Sequence, residues 1–265
     1  MMKNVQDLIE KIQINIPFSM LYDTYLDAFI QNGLNPEIGL DATALDRFSY
    51  SDFSRIAEMF HKNRRTVTLH GPYIDLAAGS PDRAVRAVTR QRFEQVLELL
   101  PLFKPKSVVC HAGYDANRYG YLRDIWIENS LALWSWLGQR IADTGSKLML
   151  ENVFEDGPED IRIIFERLQK QNVGFCLDTG HLTAFGKTDL VTWLETLGPY
   201  LHQLHLHDNY GNDDAHLALG RGIIDFEVIF TYLKKRKNSL PIITLEPHQE
   251  ADLWPSLNYL ARVWP

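Results

Sequence analysis

The chain alternates eight short β-rich runs with eight longer helical runs, and this alternation constrains the fold more than any other feature. The strand-like runs cover 12–16, 36–40, 66–70, 107–111, 147–151, 173–178, 201–207 and 242–246. The helical runs fall near 20–32, 51–62, 81–102, 120–144, 158–171, 188–197, 225–236 and 251–262. Strict alternation specifies parallel strands joined by crossover helices, and eight units allow the sheet to close on itself. The expected fold is therefore α/β, a single-domain (β/α)8 barrel over residues 1–265. An open doubly wound sheet would carry a glycine-rich phosphate loop after an early strand. The sequence has none.

Local signals agree with that reading. In the helix expected over 81–102, Val85, Val88, Phe93, Val96, Leu97 and Leu100 recur at spacings of three and four. Ser80-Pro81-Asp82 places Pro81 just inside that helix, and Gly157-Pro158-Glu159-Asp160 puts proline and acids in a first turn. Gly33, Gly145, Gly174 and Gly198 are expected at helix ends or in the turns that follow, where positive φ is useful.

Apolar residues make up 45% of the chain, enough to fill a large core, and the net charge is −7. That charge gives no general attraction to nucleic acid or anionic membrane. Cys110 and Cys176 lie in apolar runs and read as buried thiols of a reducing compartment. The N-terminal segment is polar, without the apolar stretch of a secretory leader, and no run approaches the ~18 apolar residues of a membrane span. The expected location is the cytoplasm.

The active site of such a barrel lies at the C-terminal ends of its strands. Strand three ends on His70, strand four on His111, strand five on Glu151-Asn152 and strand six on Asp178-Thr179-Gly180-His181. Strand seven carries His205-Leu206-His207-Asp208, the loop after it holds Asp214-Ala215-His216, and strand eight ends on Glu246. Of nine histidines, six fall in these endings when His207 is counted. Carboxylates and imidazoles converging on one rim carry a large desolvation cost unless a cation sits among them. A divalent metal resolves that cost, and oxygen and nitrogen donors suit Zn, Mn, Fe or Co. His205 and His207 share a parity and face the same side. His205 is the expected ligand and His207 a supporting or substrate-contacting residue. His202 has the opposite parity and is expected to pack outward against a helix.

The motifs HGPYIDLA at 70–77, HAG at 111–113, LEN at 150–152, LDTGH at 177–181, HLHD at 205–208, DAHLALGRG at 214–222 and LEP at 245–247 resemble the xylose isomerase-like barrel superfamily over nearly the whole chain. That superfamily holds sugar isomerases and epimerases and the endonuclease IV-type apurinic endonucleases. The resemblance implies a sugar or sugar-phosphate isomerase or epimerase first, with an endonuclease IV-like phosphodiesterase as the alternative. As a sugar or sugar-phosphate isomerase or epimerase, the chain would hold one metal (Mg included) on Glu151, Asp178, His205 and Glu246. The two glutamates would exchange protons across an enediolate, and His181 would bind a substrate oxygen. As an endonuclease IV-like phosphodiesterase, it would hold up to three zinc ions. The matching residues are His70, His111, Glu151, Asp178, His181, His205, Asp214, His216 and Glu246. A relative that keeps the metal site without isomerising, such as a dehydratase or a ligand-binding barrel, is the third alternative.

The expected partner is a small sugar or sugar phosphate, with nucleic acid only under the phosphodiesterase reading, and the chain is expected to be a monomer or homodimer. Against DNA stand the net charge and the segment DATALDRFSYSD after strand two, where Arg47 is the only basic residue. Tyr73-Ile74 resembles part of a duplex-inserting wedge. Arg221, Lys187 and Arg118 are the candidate phosphate grips. Tyr73, Tyr114, Phe154 and Trp254 are the candidate pocket walls.

Overall fold

The computed structural model describes residues 5–236 and 240–264; the first four residues, on which the leader reading partly rests, lie outside them. Eight parallel strands close in chain order into a barrel. They are β1 (Gln13–Pro17), β2 (Pro36–Gly39), β3 (Thr68–His70), β4 (Ser107–His111), β5 (Lys147–Glu151), β6 (Gly174–Asp178), β7 (Leu201–Leu206) and β8 (Ile242–Leu245). No helix among the described residues is long and apolar enough to cross a membrane.

Alternation along each strand divides the barrel into two environments. Ile14, Ile38, Leu69, Val108, Leu150, Leu177, Leu204 and Leu245 join the main apolar core, which the surrounding helices cover. The opposite face fills the barrel interior, and most of it is polar. Glu37, Thr68, Ser107, Gln203 and Thr244 are fully buried. The oxygen Oε2 of Glu37 accepts from Thr68, Gln203 and Thr244, and the Ser107 hydroxyl donates to Gln203. A small patch of Val109, Met149 and Cys176 is the apolar part of this interior. The cysteines are free and buried, as read from the sequence.

Several local expectations need correction. In the helix Arg83–Phe103, Val88 is half exposed, and Thr89 takes the inward position instead. Its hydroxyl accepts from the Ala77 amide at 3.0 Å, which a valine could not do. Asp82 caps this helix through the Ala84 amide, so Pro81 lies outside it. Gly33 (φ 67°) and Gly145 (φ 85°) are left-handed as expected, but Gly174 lies within β6 and Gly198 is right-handed. Asn172 supplies the left-handed turn before β6. His202 is exposed rather than packed against a helix. The β6–β7 register slips between Phe175 and Cys176, which leaves His202 as the extra residue of a bulge. Thr179–Phe185, read as a strand end and loop, is a helix capped by Asp178, whose side chain accepts from the His181 amide.

Candidate metal centre

Strand register brings the rim residues side by side. His111 pairs with Glu151 across β4–β5, and Asp178 with His205 across β6–β7. Reciprocal amide bonds pin β5 to β6: Asp178 N donates to Asn152 Oδ1 at 2.9 Å, and Asn152 Nδ2 donates to the Asp178 carbonyl at 3.0 Å. The result is three potential ligand groups: His70, His111 and Glu151; Glu151, Asp178, His205 and Glu246; and His181, His207, Asp214 and His216. All nine residues matched to the three-ion pattern are brought together. His207 is the tenth.

Glu151 joins the first two groups. Its Oε2 lies 3.0 Å from His70 Nε2 and 3.5 Å from His111 Nε2. Its Oε1 lies 3.0 Å from His205 Nδ1 and 3.4 Å from His181 Nδ1. Glu246 Oε1 also reaches His205 Nδ1 at 3.0 Å. In the third group Asp214 Oδ2 stands 3.0 Å from His216 Nε2 and 3.3 Å from His181 Nε2.

The donor set fits divalent cations, and the hydrogen-bond partners show why. His70 Nδ1 donates to the Gly71 carbonyl, His181 Nδ1 to that of Asn152 and His216 Nδ1 to that of Glu246. Each tautomer assigned this way turns a lone pair of the other nitrogen toward a carboxylate oxygen. Acceptor then faces acceptor unless a cation or an extra proton lies between. Securing the second nitrogen in this way is how proteins orient ligating imidazoles.

Behind His205 stands a carboxylate that the sequence did not single out. Glu37 Oε1 lies 2.8 Å from His205 Nε2, and both side chains are fully buried. The contact is an ion pair and not a hydrogen bond, and Glu37 Oε1 has no hydrogen-bond partner among the described residues. Gln203 Nε2 lies farther from the same nitrogen, at 3.4 Å. Glu37→Gln is expected to lower affinity for one ion about tenfold to a hundredfold. Metal titration by calorimetry, with the other ions retained, checks this.

His207 is buried beside Asp178, with Nε2 at 3.2 Å from both carboxylate oxygens, and does not line the cavity above. It stacks on His216 (3.7 Å, 2°), which stacks on His248 (3.6 Å, 7°). A Cβ at Gly180 would overlap the His207 ring, which explains the glycine of the LDTGH motif.

Burial alone would depress the imidazoles of His70, His181, His205 and His216. The carboxylates beside them, joined at His205 by the Cys176 sulfur, hold all four above the ordinary value. His111 is instead pushed down to about 3 by burial. Burial would raise the carboxyls of Glu151, Asp178 and Asp214, but neighbouring imidazoles hold them low. In chelator-treated protein the raised imidazoles stabilise the fold below pH 6.5, and this contribution is lost as the pH climbs through their folded values. Cations held by these groups would take the place of those protons. Melting temperature is therefore expected to fall above pH 6.5 in stripped protein and to stay level in loaded protein, as read by scanning calorimetry.

A cavity of about 570 Å3 opens over the groups, lined in part by His70, Tyr73, His111, Arg118, Phe154 and His248. Of the expected phosphate grips, Arg118 lines it. Arg221 is exposed outside the lining, and Lys187 pairs with Asp156 at 2.8 Å. Of the expected walls, Tyr73 and Phe154 line it. Tyr114 is buried behind it against Trp126, and Trp254 sits apart on the last helix.

A profile of the family described as "Xylose isomerase-like TIM barrel" matches residues 36–262. "Uncharacterized protein MJ1311" of Methanocaldococcus jannaschii is 30% identical over 177 residues, 64% of this chain, which spans 60% of that relative's length. "Probable endonuclease 4" of Mycobacterium leprae (strain Br4923) is 24% identical over 190 residues, 67% of this chain and 72% of that protein. Among solved structures, the TTHB071 protein from Thermus thermophilus, soaked with ZnCl2, superposes with a TM-score of 0.80 at 26% identity, covering 96% of this chain and 98% of that one. A D-tagatose 3-epimerase-like protein superposes with a TM-score of 0.78 at 22% identity, covering 96% of each chain, and shares the fold. With a profile match over most of its length and this barrel architecture, the chain belongs to the xylose isomerase-like TIM barrel family.

Proposed function

We propose that the chain is a divalent-metal-dependent phosphoester hydrolase. The observation that carries this is the engagement of both Glu151 oxygens, each within 3.0 Å of an imidazole of a ligand group. Enediolate chemistry needs a carboxylate oxygen free to take and return an α-proton. Glu151, as a carboxylate bridging two groups, has none to spare. The residues that would hold the ions are those of the three groups, and their imidazole content favours Zn, Mn, Fe or Co over Mg. Such ions supply Lewis acidity toward phosphoryl oxygens and lower the pKa of water.

The chain itself does the positioning. Gly71, Asn152, Glu246 and Glu37 fix the imidazoles, while Tyr73 and Phe154 narrow the mouth of the cavity. Hydrolysis adds water to phosphorus and breaks one P–O ester bond, and the departing alkoxide takes a proton.

Isomerisation or epimerisation of a sugar is the second reading. It is favoured by Glu151 and Glu246 flanking one histidine, each 3.0 Å from His205 Nδ1. One set of measurements separates the two. Loaded protein is expected to carry more than one ion per chain and to cleave bis(4-nitrophenyl) phosphate, with cleavage lost to EDTA. A single ion per chain, with solvent deuterium entering a ketose and no diester cleavage, would sink the hydrolase and favour the isomerase.

A further inference from the structure

Two aromatic surfaces flank the site. The Tyr73 ring stacks on His111, with centroids 4.3 Å apart and planes 25° apart. Phe154 packs on Phe185 at 5.1 Å, and the Phe185 ring lies along His181 at 6.1 Å and 28°. Each surface therefore rests on an imidazole of a ligand group, and each lines the cavity. Tyr73 is 47% exposed, Phe154 52% and the adjoining Ile74 65%, so the chain leaves this apolar area uncovered at the mouth of its own site. The Phe154 loop is built rather than loose. Beside it the buried Glu155 carboxylate accepts from the Val153 amide at 2.6 Å and the Tyr114 amide at 3.0 Å, tying the loops after β4 and β5 together.

The charges of the wall narrow the choice of ligand. Outside the three ligand groups, the described lining residues include Asp41, Asp75 and Asp115 against the single guanidinium of Arg118. Nucleic acid binding depends on lysines and arginines that neutralise successive phosphates. A sugar phosphate needs a cationic grip for its remote anionic group, and among the described lining residues outside the ligand groups this wall supplies only Arg118. It offers flat apolar faces and excess negative charge.

We infer that the substrate is a small phosphodiester monoanion in which one alcohol carries a planar, uncharged ring packed against Tyr73 and Phe154, and that polyanions such as DNA are excluded. The inference rests on the hydrolase reading of the same site and names its substrate class. The balance of the reaction is unchanged: water adds to phosphorus, one ester bond breaks, and an alcohol and a phosphomonoester leave.

Binding and turnover test it separately. The binding probes are two hydrolysis-resistant methylphosphonate monoesters, naphthylmethyl and methyl, titrated calorimetrically into metal-loaded protein. The naphthylmethyl ester is expected to bind at least about tenfold tighter, from the stacking contribution of one aromatic face. Tyr73→Ala and Phe154→Ala are expected to reduce that ratio toward unity while ion content stays at the wild-type value. Equal affinity for the two probes, or a ratio untouched by either substitution, overturns the inference. Cleavage of a duplex abasic oligonucleotide faster than naphthylmethyl 4-nitrophenyl phosphate also overturns it. If the binding preference holds and that diester is not cleaved, the hydrolase reading fails on its own and the ring site stands.

Discussion

Glu151→Gln is expected to remove turnover and bound metal together. The carboxylate joins two ligand groups, so its loss unsettles both, whereas His216→Gln touches the third group alone. Glutamine keeps the shape but not the charge, and it leaves His70 Nε2 or His205 Nδ1 facing an amide N–H. Metal ions contribute several kcal/mol to transition-state stabilisation, so losing their proper placement is expected to lower kcat by about a thousandfold or more. Ion content by plasma mass spectrometry should drop by more than one per chain. A Glu151→Gln protein with full ion content and near-normal diester hydrolysis would show that Glu151 does not bridge. The third-group variant is the control, expected to lose one ion and to keep its fold.

The rim was legible because barrel geometry assigns function to strand ends, and His70, His111, Glu151 and Asp178 each sit on the last residue of a strand. What escaped was set by contacts distant in sequence. Glu37 looks like an ordinary residue of a short strand. Its partners come from β3, β7 and β8, at sequence separations of 31, 166 and 207 residues. Alternation puts His205 and His207 on one face, but it does not fix which ligand group a side chain joins. His207 meets Asp214 and His216 because the loop after β7 folds back over it. At His202 a register slip interrupts the alternation, so the side chain does not pack where parity would put it. The helix Thr179–Phe185 was missed because Asp178 both ends a strand and caps a helix. The segment is too short for its apolar period to show.

Asp208→Asn is expected to be the most destabilising isosteric change near the site. Asp208 is fully buried, and its carboxylate accepts four backbone amides. Oδ1 takes Asn209 at 2.9 Å and Ile224 at 3.1 Å, while Oδ2 takes Gly220 at 2.9 Å and Gly222 at 2.8 Å. The Asp208–Leu217 bridge closes the same loop, so the segment carrying Asp214 and His216 is folded around one side chain. A Cβ at Gly222 would collide with the Asn209 carbonyl, which accounts for that glycine in the GRG run. Asparagine turns one acceptor into a donor facing two amide N–H groups in a fully buried setting. Losing charge-assisted bonds and stranding buried donors is expected to cost about 3 kcal/mol. In a chain of this size that corresponds to a fall of roughly 5–10 °C in Tm. Asp213→Asn, a change at an exposed neighbour, should leave Tm within about 1 °C. Because the loop carries the third ligand group, Asp208→Asn should also lose one ion while the ions on Glu151 remain. Loss of stability with all ions retained would mean that the loop holds its ligands without Asp208; loss of every ion would mean that the groups assemble only as one unit.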